Sequence, residues 1–207
     1  MSTGPQRRYT EAEYLAIERD VETKHEYYRG EMFAMSGASR QHNRITVNIS
    51  ALFHDQLKNR KCEHFINDMR VKVEASSLYT YPDVVITCHE PRFLDQNVDT
   101  LLNPQVIIEV LSDSTEKYDR GKKFEQYRTI PSLREYVLIS QDRAHIDRFA
   151  LNEQGQWVLN DASGLDAVIE LVTIGCRLPL AEVYAKVEFD PTPDPAPLPA
   201  DSKFSSR

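Results

Sequence analysis

The 207-residue chain lacks long apolar runs, has only three cysteines, and carries no excess of positive charge. No stretch approaches the roughly 18 consecutive apolar residues of a membrane span, so none is expected. Cys62, Cys88 and Cys176 are odd in number, widely spaced and free of any CxxC pairing, which argues against a disulfide framework. They predict three buried or half-buried thiols in a reducing compartment. The first residues, Met1 to Arg8, lead into Tyr9-Thr-Glu-Ala-Glu13 rather than an apolar segment. No secretory or twin-arginine leader is expected, and a cytoplasmic location follows by default. With 25 Lys+Arg against 32 Asp+Glu the formal net charge is −7, which speaks against a general nucleic-acid coat. Gly-rich phosphate loops and internal repeats are also missing. What is there is an ordinary globular mixture, 41% hydrophobic and 28% charged. A chain of this length buries about 70% of its unfolded surface and needs no metal or disulfide staple to fold.

The C-terminal end separates first. Pro191, Pro193, Pro195, Pro197 and Pro199 alternate along it. Proline at every second position cannot donate to a helix or a ladder, so residues 189–207 are expected to form an extended or disordered tail. Residues 1–8 are a short leading tail, and residues 9–188 read as one α+β domain. Thr10 with Glu13 has the form of a capping box, opening a helix to about Glu18. Residues 25–35 suit a hairpin turning at Gly30. Ile45, Ile49, Leu52, Phe53 and Leu57 fall at helical spacing and predict a helix over about 41–58. Strands are expected at Met69–Glu74, Asp83–Cys88, Val106–Leu111, Glu135–Ile139 and Val168–Val172, with a hairpin across Asn152–Gly155. Arg70 alternates with the apolar side of its strand and is expected in solvent. A helix carrying Phe124, Tyr127 and Ile130 ends at Pro131, and a short one lies near Leu180–Tyr184.

Three charges do not belong to that pattern. Glu109 sits among Val106, Ile107, Ile108, Val110 and Leu111. A strand apolar on both faces is normally buried on both, and an unpaired carboxylate there costs several kcal/mol. It needs a salt bridge, a proton, a metal, or water at the strand end. Asp83 follows Pro82 and opens another apolar strand; alone it reads equally as turn chemistry. Two carboxylates brought together on neighbouring strands repel unless a cation lies between them, and hard oxygen ligands suit Mg²⁺. Lys123 shares a helix face with Tyr127 at i, i+4, near the apolar stripe, whereas Lys122 lies further round. A single helical lysine is more often a solvated or snorkelling chain.

Taken in order, Tyr81-Pro-Asp83-Val-Val-Ile86, Ile107-Ile-Glu109-Val-Leu-Ser112, Asp119-Arg-Gly-Lys-Lys123-Phe-Glu-Gln-Tyr127 and Ile130-Pro-Ser-Leu-Arg-Glu-Tyr136 resemble the Uma-type family of putative restriction endonucleases. That family is also described as a cyanobacteria-rich domain of unknown function. Glu26-Tyr-Tyr-Arg-Gly-Glu31 and His42 match its early positions, and the resemblance covers roughly residues 9–185. It implies the restriction-endonuclease-like PD-(D/E)xK fold, a mixed central sheet flanked by helices, here with an added N-terminal helix and hairpin. The sequence departs from the textual motif, since Leu111 stands where the lysine is expected. The resemblance moves the lysine to Lys123, with Lys122 as competitor.

The resemblance further implies Mg²⁺- or Mn²⁺-dependent hydrolysis of DNA phosphodiesters. Asp83, Glu109 and the Val110 carbonyl would hold the metal, and Lys123 would orient water or stabilise phosphoryl charge. Glu26 would join the metal shell or position a base. His42 would contact phosphate, or serve as a structural histidine. A homodimer follows by analogy alone. The competing readings are a catalytically silent nuclease-fold binding or regulatory module, and a structural domain in which Lys123 and Glu109 pair without metal. The acidic total does not oppose DNA. Residues 188–207 contribute four acids and two bases, while bases gather at Arg40 and Arg44, at Lys58, Arg60 and Lys61, and at Arg120, Lys122 and Lys123. Weak, salt-sensitive binding is expected.

Overall fold

The computed structural model describes residues 7–112 and 114–189. The expected Pro-rich tail, from Asp190 onward, lies outside them. The chain begins with α1 (Glu11–Glu18), whose Thr10 side chain accepts from the Glu13 amide while Glu13 reaches back to the Thr10 amide. The hairpin follows as β1 (His25–Tyr28) and β2 (Glu31–Ala34), with Tyr28 opposite Glu31. Both turn residues, Arg29 and Gly30, have positive φ (48° and 96°), the conformation a two-residue hairpin requires. A Cβ at Gly30 would also stand 3.2 Å from Cβ of Arg8. Then α2 (Arg40–Leu57) starts at Ser39, whose hydroxyl accepts from the His42 amide.

The central sheet is mixed and six-stranded. Its order is β11 (Trp157–Ser163), β10 (His145–Leu151), β9 (Glu135–Ile139), β8 (Val106–Val110), β6 (Val84–Thr87) and β3 (Glu63–Ile66). β8 and β9 run parallel, and β6 pairs antiparallel with β8, Val84 opposite Ile108. A second sheet joins the hairpin to β5 (Leu78–Thr80), β4 (Arg70–Val73) and β7 (Thr100–Leu101). A two-stranded ribbon, β12 (Val168–Leu171) with β13 (Cys176–Pro179), leads into α5 (Leu180–Val183). The result is the restriction-endonuclease-like α+β fold anticipated from sequence.

Strand periodicity sorts the core into two faces. Val84, Ile86, Val106, Ile108 and Val110 point toward Ile45, Ile49 and Phe53 of α2, forming an aliphatic core. Val85, Ile107 and Leu111 point the other way, toward Tyr127, Ile130 and the Val71, Val73 and Leu78 side chains of the second sheet. A helical stretch lies over that second face. It is built of α3 (Glu116–Tyr118), a π-turn (Asp119–Lys123) and α4 (Phe124–Tyr127).

Two expectations are corrected. Cys62 and Cys88 are joined as a disulfide rather than standing as thiols, and only Cys176 is free and buried. The pairing of Glu63 with Thr87 puts the two cysteines opposite each other at the end of adjacent strands, which wide sequence spacing concealed. Arg70 is not solvated. It is 2% exposed, bound to Asp99 at 2.9 Å and donating to Thr100 and Tyr81. α1 covers that side of the sheet and stacks Tyr14 against the guanidinium. Among the described residues, no helix is long and apolar enough to cross a membrane.

Candidate active site

The β6–β8 register decides where the two anomalous carboxylates go. Val84 faces Ile108, so Asp83, one residue before Val84, comes level with Glu109 at the strand end, within reach of His42 of α2. Side chains of directly opposed residues stand about 5 Å apart at Cβ. Asp83 Oδ2 accepts from the Val110 amide at 2.7 Å and contacts His42 Nε2 at 3.1 Å. Glu109 is 4% exposed, and its Oε1 accepts from the Tyr127 hydroxyl at 2.8 Å. Lys123 Nζ stands 2.9 Å from that same oxygen.

Lys123 is the cation of the cluster. It is 7% exposed, with Glu26 Oε1 and Asp119 Oδ1 each 3.5 Å from Nζ. Lys122 is exposed, where Lys123 is buried among the carboxylates. The π-turn sets this difference, because a widened turn changes which side chains of Asp119–Lys123 face the sheet, and such turns occur often at functional sites. Glu26 comes from β1, where it also accepts a hydrogen bond from the Thr80 hydroxyl of β5.

Three carboxylates therefore gather around one lysine, and Asp83 stands near enough to act on Glu109. Burial pushes Glu109 up from the ordinary carboxylate range; Lys123 pulls it down, while Asp119 and Asp83 push it further up. Asp119 is raised for the same first reason, its burial. Burial alone would lower Lys123, but Glu109, Tyr127, Glu26 and Asp119 together hold its pKa well above normal. The cluster has more negative charge than its cation offsets, and uncompensated buried charge is expensive.

Among the described residues, no three His, Cys, Asp or Glu side chains form a ready-made metal cage. The donor set still suits one hard cation. Mg²⁺ is commonly held by one or two carboxylates and keeps several waters. The described contacts of Asp83 and Glu109 fall on Oδ2 and Oε1, leaving the second oxygen of each for a ligand. Val110 enters through its amide, and the pleat turns its carbonyl toward the same edge as that amide. His42 differs from the expected phosphate contact. Its Nε2 is spent on Asp83 and its Nδ1 is buried without a partner among the described residues, so it braces the carboxylate instead.

A family model described as "Uma2: Putative restriction endonuclease" matches residues 11–181. The chain belongs to the Uma2 family. Two similar proteins come from Synechocystis sp. (strain ATCC 27184 / PCC 6803 / Kazusa). Uncharacterized protein sll1609 is 40% identical over 161 residues, covering 78% of this chain and 91% of its own. Uncharacterized protein slr1290 is 35% identical over 187 residues, covering 90% and 97%. A crystal structure of a putative nuclease belonging to DUF820 from Anabaena variabilis superposes with a TM-score of 0.69. It is 18% identical, and the match covers 85% of this chain and 97% of that one. At that identity the match speaks for the fold.

Sequence reasoning missed Asp119 and the hydroxyl of Tyr127. Asp119 lies in a polar run that reads as a loop, yet it is i, i+4 to Lys123, a spacing that brings the two side chains together on a helix. Tyr127 was placed in the apolar stripe by its ring, while its oxygen serves Glu109.

Proposed function

We propose that this chain is a metal-dependent endonuclease that hydrolyses DNA phosphodiester bonds at Asp83, Glu109 and Lys123. The observation that carries the reading is the excess of buried carboxylate around Lys123. A purely structural salt bridge would explain the 2.9 Å Lys123–Glu109 contact. It leaves Glu26, Asp83 and Asp119 as further acids facing the same lysine or its partner, and a divalent cation offsets that surplus.

Asp83 and Glu109, with the Val110 carbonyl, would hold Mg²⁺ or Mn²⁺. When bound, the ion supplies Lewis acidity to a phosphoryl oxygen and lowers the pKa of a bound water. Asp83 is kept in place for this by the Val110 amide and His42, and Glu109 by Tyr127. Lys123, anchored on three carboxylates, offers fixed positive charge where charge develops on the phosphate. Glu26 shares Lys123 and orients it. DNA as substrate, a homodimer serving two strands, and a cytoplasmic location belong to the same reading.

The test is cleavage of supercoiled, linear and single-stranded DNA with Mg²⁺ or Mn²⁺. The expected result is metal-dependent cutting that chelation stops. No cleavage of any nucleic acid across these substrates and metals would defeat the enzyme reading and leave the silent binding module.

A further inference from the structure

A cavity of about 530 Å³ opens beside the carboxylate cluster, between the N-terminal hairpin and the helical stretch over the sheet. The register explains its walls. Glu26 and Tyr28 project from the same side of β1, and Phe33 stands opposite Glu26 on β2. From the helical side come Tyr118, Lys122 and Gln126, spaced four apart along one face, with Glu125 beside them. The volume falls within the roughly 300–1,000 Å³ of ligand pockets. Phe33 and Tyr118 are 48% and 39% exposed. Arg29 adds a guanidinium over the Tyr28 ring, 5.2 Å from its centroid. Glu26 belongs both to this wall and to the Lys123 cluster. Glu26 thus stands between the cavity and the proposed reaction centre.

We infer that this cavity takes an unpaired nucleobase next to the scissile phosphate. The inference rests on the nuclease reading and narrows its substrate class to DNA with unpaired nucleotides, such as single strands or flaps. The chemistry is that of single-strand binding sites, where flat aromatic faces stack a base of any identity beside positive charge that tracks the backbone. Phe33 and Tyr118 supply the faces, and Lys122 supplies the charge at the rim. Gln126 offers both a donor and an acceptor to a base edge. A base inside a continuous duplex is already stacked on its neighbours and presents no free face to these rings.

The experiment is fluorescence anisotropy in Ca²⁺ with a labelled single-stranded DNA, the same strand carrying one abasic site at successive positions, and the matching duplex. Cleavage of supercoiled plasmid and of the single strand in Mn²⁺ is followed in parallel. The wild type is expected to bind the single strand more tightly than the duplex and to lose about tenfold at one abasic position. Phe33→Ala and Tyr118→Ala should erase the difference between intact and abasic strands, and Phe33→Trp should keep it. Both rings are partly exposed, and a melting curve for each variant confirms folding. Equal binding of intact and abasic strands by the wild type at every position overturns the inference, as does an equal loss on both strands in the alanine variants. Plasmid cleavage without base dependence overturns the cavity assignment alone. Base dependence without cleavage supports the cavity and defeats the nuclease reading.

Discussion

The two faces of β8 are made from one five-residue strand, yet they do opposite work. Val106, Ile108 and Val110 enter a largely aliphatic core against α2, where close packing is the main demand. Ile107 and Glu109 face the second sheet and the helical stretch. There an aromatic and aliphatic floor surrounds a carboxylate whose ionised form burial opposes. The first face contributes stability in proportion to the area it removes from water. The second gives up stability by holding more buried acids than bases. Proteins tend to keep such an arrangement where function needs it.

The largest expected effect breaks the second face alone. Asp83→Ala or Glu109→Ala should lower metal-dependent cleavage by roughly 10³-fold or more, about 4 kcal/mol of transition-state stabilisation. Melting temperatures should stay near the wild-type value, since each change removes surplus negative charge. A comparable fall in stability would make these acids structural. Lys123→Ala should do both kinds of damage, because it strands Glu26, Glu109 and Asp119 together. A loss of about 3–5 kcal/mol in denaturant unfolding is expected. On the first face, Ile108→Ala should cost about 2–5 kcal/mol of stability, with cleavage per folded molecule unchanged. A selective loss of activity there would erase the distinction between the faces.

The smallest effect is a pH dependence. Glu109 has a folded pKa raised above its unfolded value. In the window between those two values the metal-free folded state binds more protons than the unfolded chain. Stability therefore falls as pH rises through the window and is recovered as pH falls. Urea unfolding from pH 5 to 8, in chelator, should follow that trend. Glu109→Gln should flatten it and leave the metal-free protein at least as stable at neutral pH.

Much of this was legible in the sequence because period and burial agree there. α2 shows its apolar stripe at helical spacing, the hairpin shows its Arg29-Gly30 turn, and β8 stands out as an apolar run broken by one acid. β5 and β7 escaped notice because strands of three and two residues carry no measurable alternation. β13 was hidden by Arg177 and Pro179, which weaken a strand pattern. Arg70 follows the exposed phase of β4, but tertiary cover from α1 and Asp99 overrides that phase. Within the site, Asp83 and Glu109 were visible as carboxylates out of place. Asp119 was not, because a π-turn brings it inward from a segment that reads as polar loop.

The central claim is that the acids of the second face are there to hold a cation. Calorimetric titration with Mn²⁺ at neutral pH, on the wild type and on the Asp83→Ala, Glu109→Ala double variant, tests it most directly. The account predicts saturable uptake by the wild type and none at that site in the double variant. Equal uptake by both proteins, or none by either, would contradict it.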